Sequence, residues 1–140
     1  MKVIDKQPKM NAVERFGGPC QLVLERQLGG HASCVFASVT TLDGRSVAFI
    51  AANDSIQHTR IAALGCSVMS LSEAFGREIL KSQCSYNVIA TNHGSIVTVR
   101  IPCETPRFAL SVCVDHGENM AMALRMTLDS AKALAQVIDA

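Results

Sequence analysis

The sequence lacks tryptophan and contains a single tyrosine, so aromatic residues make up only 4% of its 140 residues. Charged residues are also scarce at 18%, against the roughly one quarter that is usual in soluble domains. A domain that buried only its own core would carry more charge on its exterior. We therefore expect a partner to cover part of the surface, and a second copy of the chain is the simplest candidate.

No run of like charge is present, and thirteen basic residues nearly balance twelve acidic ones. This balance disfavours nucleic acid and anionic membranes as partners. The charge-free stretches at 27–42 and 82–99 are interrupted by polar residues, so membrane insertion is not expected. Residues 1–6 are charged and lack the apolar region of a secretory signal, which predicts a cytoplasmic location.

Motifs for nucleotide or metal chemistry are missing from the sequence. None of the nine glycines begins a G-x-x-x-x-G-K-[ST] loop or a G-x-G-x-x-G turn. The six cysteines are scattered, and the closest mixed pair, Cys113 and His116, is typical of a core thiol beside a turn histidine. We therefore expect no cofactor, no metal site and no catalytic residue. A thiol or metal enzyme is an alternative that rests on the cysteine count alone.

The pattern of turns and apolar residues predicts one domain at 19–140, preceded by a loosely ordered segment at 1–18 that ends in Gly17-Gly18-Pro19. A short first helix is expected to begin at Pro19 and to end before Gly29-Gly30. Strands are predicted at 32–41, 46–52, 84–91, 95–101 and 108–114. A long helix is predicted at 56–81 and a last helix at 118–138, the latter begun by a capping-box-like pair, Asp115 and Glu118.

Short turns, of which Asp43-Gly44 is the strongest hairpin signal, require antiparallel pairing within each group of strands. The result is a five-stranded antiparallel sheet with helices on both faces.

The long helix carries the most informative pattern. Winding it at about 100° per residue predicts an apolar arc that faces the sheet. This arc consists of Ile61, Leu64, Val68, Leu71, Phe75 and Ile79. A stripe of small residues lies on the far side, at Ala63, Ser67, Ser70 and Ala74. Because small residues let a second helix approach closely, the stripe is predicted to be a dimer contact. A loop or the N-terminal segment covering the stripe is the alternative.

The succession of elements resembles the Roadblock family, which contains Roadblock-type dynein light chains and bacterial regulators of Ras-like GTPases. The resemblance covers Gln21 to Ile138 and rests on Gly29-Gly30 before strand one, the Leu42-Asp43-Gly44-Arg45 hairpin, the long helix, the three-stranded meander and the closing helix. It implies a profilin-like α/β sandwich with strand order 2-1-5-4-3. The long helix would lie on one face of the sheet and the terminal helices on the other.

The resemblance also implies dimerisation through the long helix and strand three, and it supplies no catalytic residue. The predicted dimer or partner interface consists of Ala63, Cys66, Ser67, Ser70, Ala74, Arg77, Tyr86, Asn87 and Ile89. The function implied is that of a non-enzymatic homodimeric regulator or adaptor, bound to a small Ras-like GTPase or built into a larger assembly. The rival interpretation is a small-molecule sensor with a pocket between sheet and helix, lined by Cys34, Cys113 and methionines.

Overall fold

The computed structural model describes residues 11–104 and 107–140. Three helices and five strands follow one another in this part of the chain. Their bounds are α1 Ala12–Leu28, β1 Cys34–Thr41, β2 Ser46–Ala51, α2 His58–Leu80, β3 Tyr86–Thr91, β4 Gly94–Arg100, β5 Phe108–Asp115 and α3 Met120–Asp139. None of these helices is both long enough and apolar enough to cross a bilayer.

The strands form one antiparallel sheet in the order β2-β1-β5-β4-β3, which confirms the predicted topology. The hairpin between β1 and β2 turns at Gly44, whose φ of 92° lies in the left-handed region that favours glycine. The predicted strands agree with the observed ones to within about two residues at each end. Helices cover both faces, with α2 on one and α1 and α3 on the other.

The main hydrophobic core lies between the sheet and the α1–α3 layer. From β5 it takes Phe108, Leu110 and Val112, which alternate with residues on the opposite face. The helices contribute a larger set of buried side chains: Phe16, Cys20, Leu24 and Leu28 from α1, and Met126, Leu134 and Ile138 from α3. Because the periods of strand and helix bring these residues to one layer, the core holds α1 and α3 firmly to the sheet.

The first helix begins earlier than the sequence indicates. It starts at Ala12, where the Asn11 side chain and Glu14 form a capping box, and Pro19 lies inside it. The glycines before Pro19 do not break the helix. Glycine suits position 17 because a Cβ there would come within 3.2 Å of the Val47 carbonyl oxygen. Gly17 therefore permits close packing on β2, and residues 12–18 are helical. Residues 1–10 of the predicted N-terminal segment lie outside the described residues.

The outer edge of β2 is covered by α1. The Gln21 side-chain amide donates to the Phe49 carbonyl oxygen at 2.8 Å, and the Phe49 amide donates to the Gln21 Oε1 atom at 2.9 Å. The side chain thus satisfies both backbone groups of an edge residue, as a neighbouring strand would. The free edge at the other end of the sheet is β3.

The start of α3 differs from the predicted one. The N-cap is Asn119, whose side chain accepts a hydrogen bond from the Met122 amide at 2.8 Å. Asp115 instead belongs to β5 and accepts from the Gly117 amide in the following turn. The capping box predicted at Asp115 and Glu118 is therefore wrong, and the helix begins at Met120.

Candidate protein-binding surface

The long helix is rotated relative to the sequence prediction. Its buried residues are Ala62, Gly65 and Met69, and these contact the sheet. The arc that was expected to face the sheet is largely exposed, with Leu71 at 71% and Phe75 at 70%. The prediction of a sheet-facing arc from Ile61 to Ile79 is therefore wrong.

The sheet surface under α2 explains the rotation. It is small and polar, with Ser38, Thr40, Thr98 and Ser111 buried there. The Thr98 and Ser111 hydroxyls share a hydrogen bond at 3.0 Å, and a Cβ on Gly65 would lie 3.1 Å from the Ser111 Oγ atom. A bulky side chain has no room at position 65, so Ala62 and Gly65 turn inward and most of the large apolar side chains of α2 turn away.

One flank of α2 therefore presents an apolar face to solvent. We define the apolar face as Ile61, Leu64, Val68, Leu71, Phe75 and Ile79. Four of these large side chains are more than half exposed: Leu64, Leu71, Phe75 and Ile79. Contiguous apolar surface of this kind in a small domain is typical of an interaction site.

Strand β3 continues the apolar face onto the edge of the sheet. Tyr86 and Ile89 on this strand are exposed, and Ile89 lines a cavity together with Leu64 and Val68 of α2. The Asn87 side chain donates to the Ser72 Oγ atom at 2.8 Å and ties the start of β3 to α2. The apolar face and the free β3 edge thus form one continuous surface.

The residues predicted as an interface fall into two groups. Exposed positions are Ala63, Ser67, Ser70, Ala74, Arg77, Tyr86 and Ile89. Cys66 and Asn87 are half-buried, and the Cys66 thiol donates to the Leu42 carbonyl oxygen at 2.9 Å. The small-residue stripe therefore faces solvent beside the apolar face. Sequence reasoning missed the apolar face as a surface, because it assigned every large apolar side chain of the helix to the core.

The small-molecule sensor predicted from the sequence requires a pocket between sheet and helix. The cavity under the middle of α2 measures about 200 Å³, below the roughly 300 Å³ at which small-molecule sites begin, and a second cavity of about 400 Å³, lined by Phe75, Ile79 and Asn87, opens between the end of α2 and β3. Cys113 lines neither of these cavities, and Cys34 lines another one, of about 210 Å³, at the start of β1. Within residues 11–104 and 107–140, no three His, Cys, Asp or Glu side chains come together as metal ligands do.

The most deeply placed thiols are chemically inert at neutral pH. Burial, reinforced by the nearby Cys103, raises the pKa of Cys20 to about 11. Burial, reinforced by Cys113, likewise raises the pKa of Cys34 to about 11. Because the thiolate is the nucleophile, neither group is activated for covalent catalysis.

Comparison with known proteins identifies solved structures that share this architecture. Neither a protein-family model nor a curated protein matches the sequence. Among solved structures, MglB of Myxococcus xanthus has a TM-score of 0.75 at 12% identity, covering 86% of this chain and 95% of its own. A Roadblock/LC7 domain from Streptomyces avermitilis has a TM-score of 0.74 at 12% identity, covering 86% and 98%. This chain has the Roadblock/LC7 fold.

The resemblance noted in the sequence is thereby confirmed at the level of fold. The profilin-like character of the Roadblock/LC7 fold is also visible, since a chain in the LokiProfilin1 complex with rabbit actin has a TM-score of 0.56 at 13% identity. That match covers 86% of this chain and 96% of the other. At such identities residue roles do not transfer with the fold, so the surface has to be interpreted from its own chemistry.

Proposed function

We propose that this protein is a non-enzymatic regulator or adaptor that works as a homodimer and binds a small Ras-like GTPase or a larger protein assembly. The observation that carries the proposal is the apolar face of α2, which lies exposed beside the free edge strand β3. Exposed apolar area on this scale is unfavourable in water, and an open strand edge invites pairing. A partner that covers both features at once removes both costs.

The way α2 sits on the sheet strengthens this argument. Its contact with its own sheet buries one large side chain, Met69, and otherwise small residues. The exposed side chains of the apolar face thus contribute little to the stability of the isolated domain. Their hydrophobic contribution becomes available when a second surface excludes water from them.

A second copy of the chain fits the surface by symmetry. An antiparallel strand edge is self-complementary, so β3 can pair with β3 of the partner about a two-fold axis. The two α2 helices then lie on the same side of a continuous sheet and meet across the axis. In this arrangement the small residues Ser67, Ser70 and Ala74 would allow the helices to approach closely, and Tyr86 and Ile89 would lie beside the axis.

A GTPase partner is supported by the family resemblance and by the fold shared with MglB. The apolar face carries no nucleophile and no acid–base pair, so an effect on GTP hydrolysis would come from ordering the loops of the GTPase. Arg60, in the first turn of α2, is an exposed cation that could be donated, whereas Arg77 lies on the opposite flank of the helix. Such a partner implies a cytoplasmic location for this protein.

The substitution Phe75→Asp tests the dimer. Burying an unpaired carboxylate in an interface costs about 3–5 kcal/mol, which corresponds to a dimer dissociation constant raised by about two to four orders of magnitude. Sedimentation velocity at micromolar concentration should show a dimer for the unmodified protein and a monomer for Phe75→Asp. Circular dichroism should show unchanged secondary structure, because the side chain is 70% exposed.

The matched control is Leu22→Asp, since Leu22 on α1 is 64% exposed but lies on the opposite layer. This variant should remain dimeric. A monomeric unmodified protein, or equal dissociation of both variants, would contradict the proposed interface. In a second assay, isothermal titration with a Ras-like GTPase of the same genome, loaded with a GTP analogue, should show binding that Leu22→Asp retains. Absence of binding to every such GTPase would refute the GTPase part of the proposal.

A further inference from the structure

A cavity of about 350 Å³ opens on the flank of α2 opposite to the apolar face. Four cationic side chains line it: Arg77 and Lys81 at the end of α2, Arg100 at the end of β4 and Arg107 just before β5. Glu73, Ser82 and Gln83 complete the lining. We call this cavity the basic pocket. Three separate parts of the chain converge there, although the chain as a whole has a net charge of only +1.

The charges in the basic pocket are not balanced. Glu73 forms an ion pair with the Arg100 guanidinium, and both side chains are largely buried. The Nε atom of Arg100 is nevertheless buried without a hydrogen-bond partner in the described residues. Within the same residues, no carboxylate pairs with Arg77, Lys81 or Arg107. The basic pocket therefore gathers around one cavity three cations that have no carboxylate partner among the described residues.

The helix dipole accounts for part of this arrangement. Cations in the last turn of a helix interact favourably with its carbonyl end, which explains Arg77 and Lys81. It does not explain Arg100 and Arg107, which reach the cavity from the sheet. Lys81 is also the one described non-glycine residue with positive φ, at 53°, in a C-cap position that glycine usually occupies. Its ammonium group donates to the Glu78 carbonyl oxygen at 3.1 Å and so caps the carbonyl end of the helix.

The number and type of donors favour a phosphate over a carboxylate. A phosphate monoester carries about two negative charges and three acceptor oxygens, and it accepts bidentate hydrogen bonds from guanidinium groups. A single carboxylate would leave most of the cationic charge unpaired. The Ser82 hydroxyl and the Gln83 amide add neutral donors for further oxygens. The cavity volume falls at the lower end of the range for small-molecule sites.

We propose that the basic pocket binds a phosphate group carried by a small soluble molecule. The proposal does not rest on the dimer, because the residues involved lie on the other flank of α2. It also gives Arg77 a role that differs from the interface role predicted from the sequence.

Isothermal titration calorimetry with sodium pyrophosphate tests the proposal. The unmodified protein should bind pyrophosphate at physiological ionic strength. The double variant Arg77→Gln/Arg107→Gln should bind about a hundredfold more weakly, because each lost charged hydrogen-bond donor weakens binding about tenfold or more. Arg100 is left unchanged, so that the buried ion pair with Glu73 persists and the fold is preserved.

The control is Arg26→Gln/Arg125→Gln, which removes the same charge from exposed positions on α1 and α3. It should bind within about twofold of the unmodified protein, since distant exposed charges are screened at this ionic strength. Absence of binding by the unmodified protein, or equal loss in both double variants, would overturn the proposal. So would a hexaglutamate peptide that binds as tightly as pyrophosphate, which would indicate an acidic protein segment as the occupant.

Discussion

Replacing Met69 with alanine removes the large side chain that α2 buries against the sheet, where it is 1% exposed. The lost transfer free energy of a buried methionine is about 1.5–3 kcal/mol, and the remaining cavity raises the total for such substitutions to about 2–5 kcal/mol. We therefore expect a loss of about 3 kcal/mol in the free energy of unfolding.

The matched control is Met122→Ala on α3, where the side chain is 46% exposed, with an expected loss below about 0.5 kcal/mol. Helix propensity changes equally in both variants, so it cancels in the comparison. Urea unfolding should be followed by far-ultraviolet circular dichroism, because the sequence has no tryptophan. Protein concentration must be held fixed, since dimerisation would add to the apparent stability. Equal losses for Met69→Ala and Met122→Ala would refute the rotation of α2 described above.

Two further predictions concern the same helix and the thiols. Gly65→Val should lower the free energy of unfolding by about 1–3 kcal/mol in the same urea assay, because the added Cβ would lie 3.1 Å from the Ser111 Oγ atom; an unchanged midpoint would contradict this close contact. The alkylation rate of Cys34, followed by peptide mass spectrometry, should keep rising between pH 9 and about pH 11, because burial raises its pKa and keeps the thiol protonated over that range. A plateau in the rate from about pH 10 would show that the thiol has its ordinary pKa.

Strand positions and the pairing within each hairpin were accessible from the sequence because their signals are local, whereas the strand order was implied by the family resemblance. Asp43-Gly44 fixes the first hairpin, and the alternation through β5 fixes which side chains face the main core. The rotation of α2 was not accessible in this way. Hydrophobic periodicity identifies an apolar arc but not what covers it, and here Leu71 and Phe75 on this arc are exposed.

The predicted start of α1 was wrong for a related reason. Gly17-Gly18-Pro19 is typical of a break in a helix. In the fold, however, Gly17 packs closely against the Val47 carbonyl, and this tertiary contact cannot be seen in the sequence. The basic pocket was missed because its cations are separated in the sequence and meet only when β4, β5 and the end of α2 are in place. Sequence reasoning noticed Arg77 but had no means of pairing it with Arg107.

The hydrogen bonds between Gln21 and Phe49 limit how large an assembly this sheet can build. Because Gln21 binds the backbone groups of Phe49, strand addition at β2 is hindered, and a chain that pairs through β3 alone is monovalent in this mode of association. Two monovalent units close on each other and leave nothing for a third to extend. Strand pairing through β3 would therefore stop at two chains, and a fibre of stacked sheets would first require α1 to release β2.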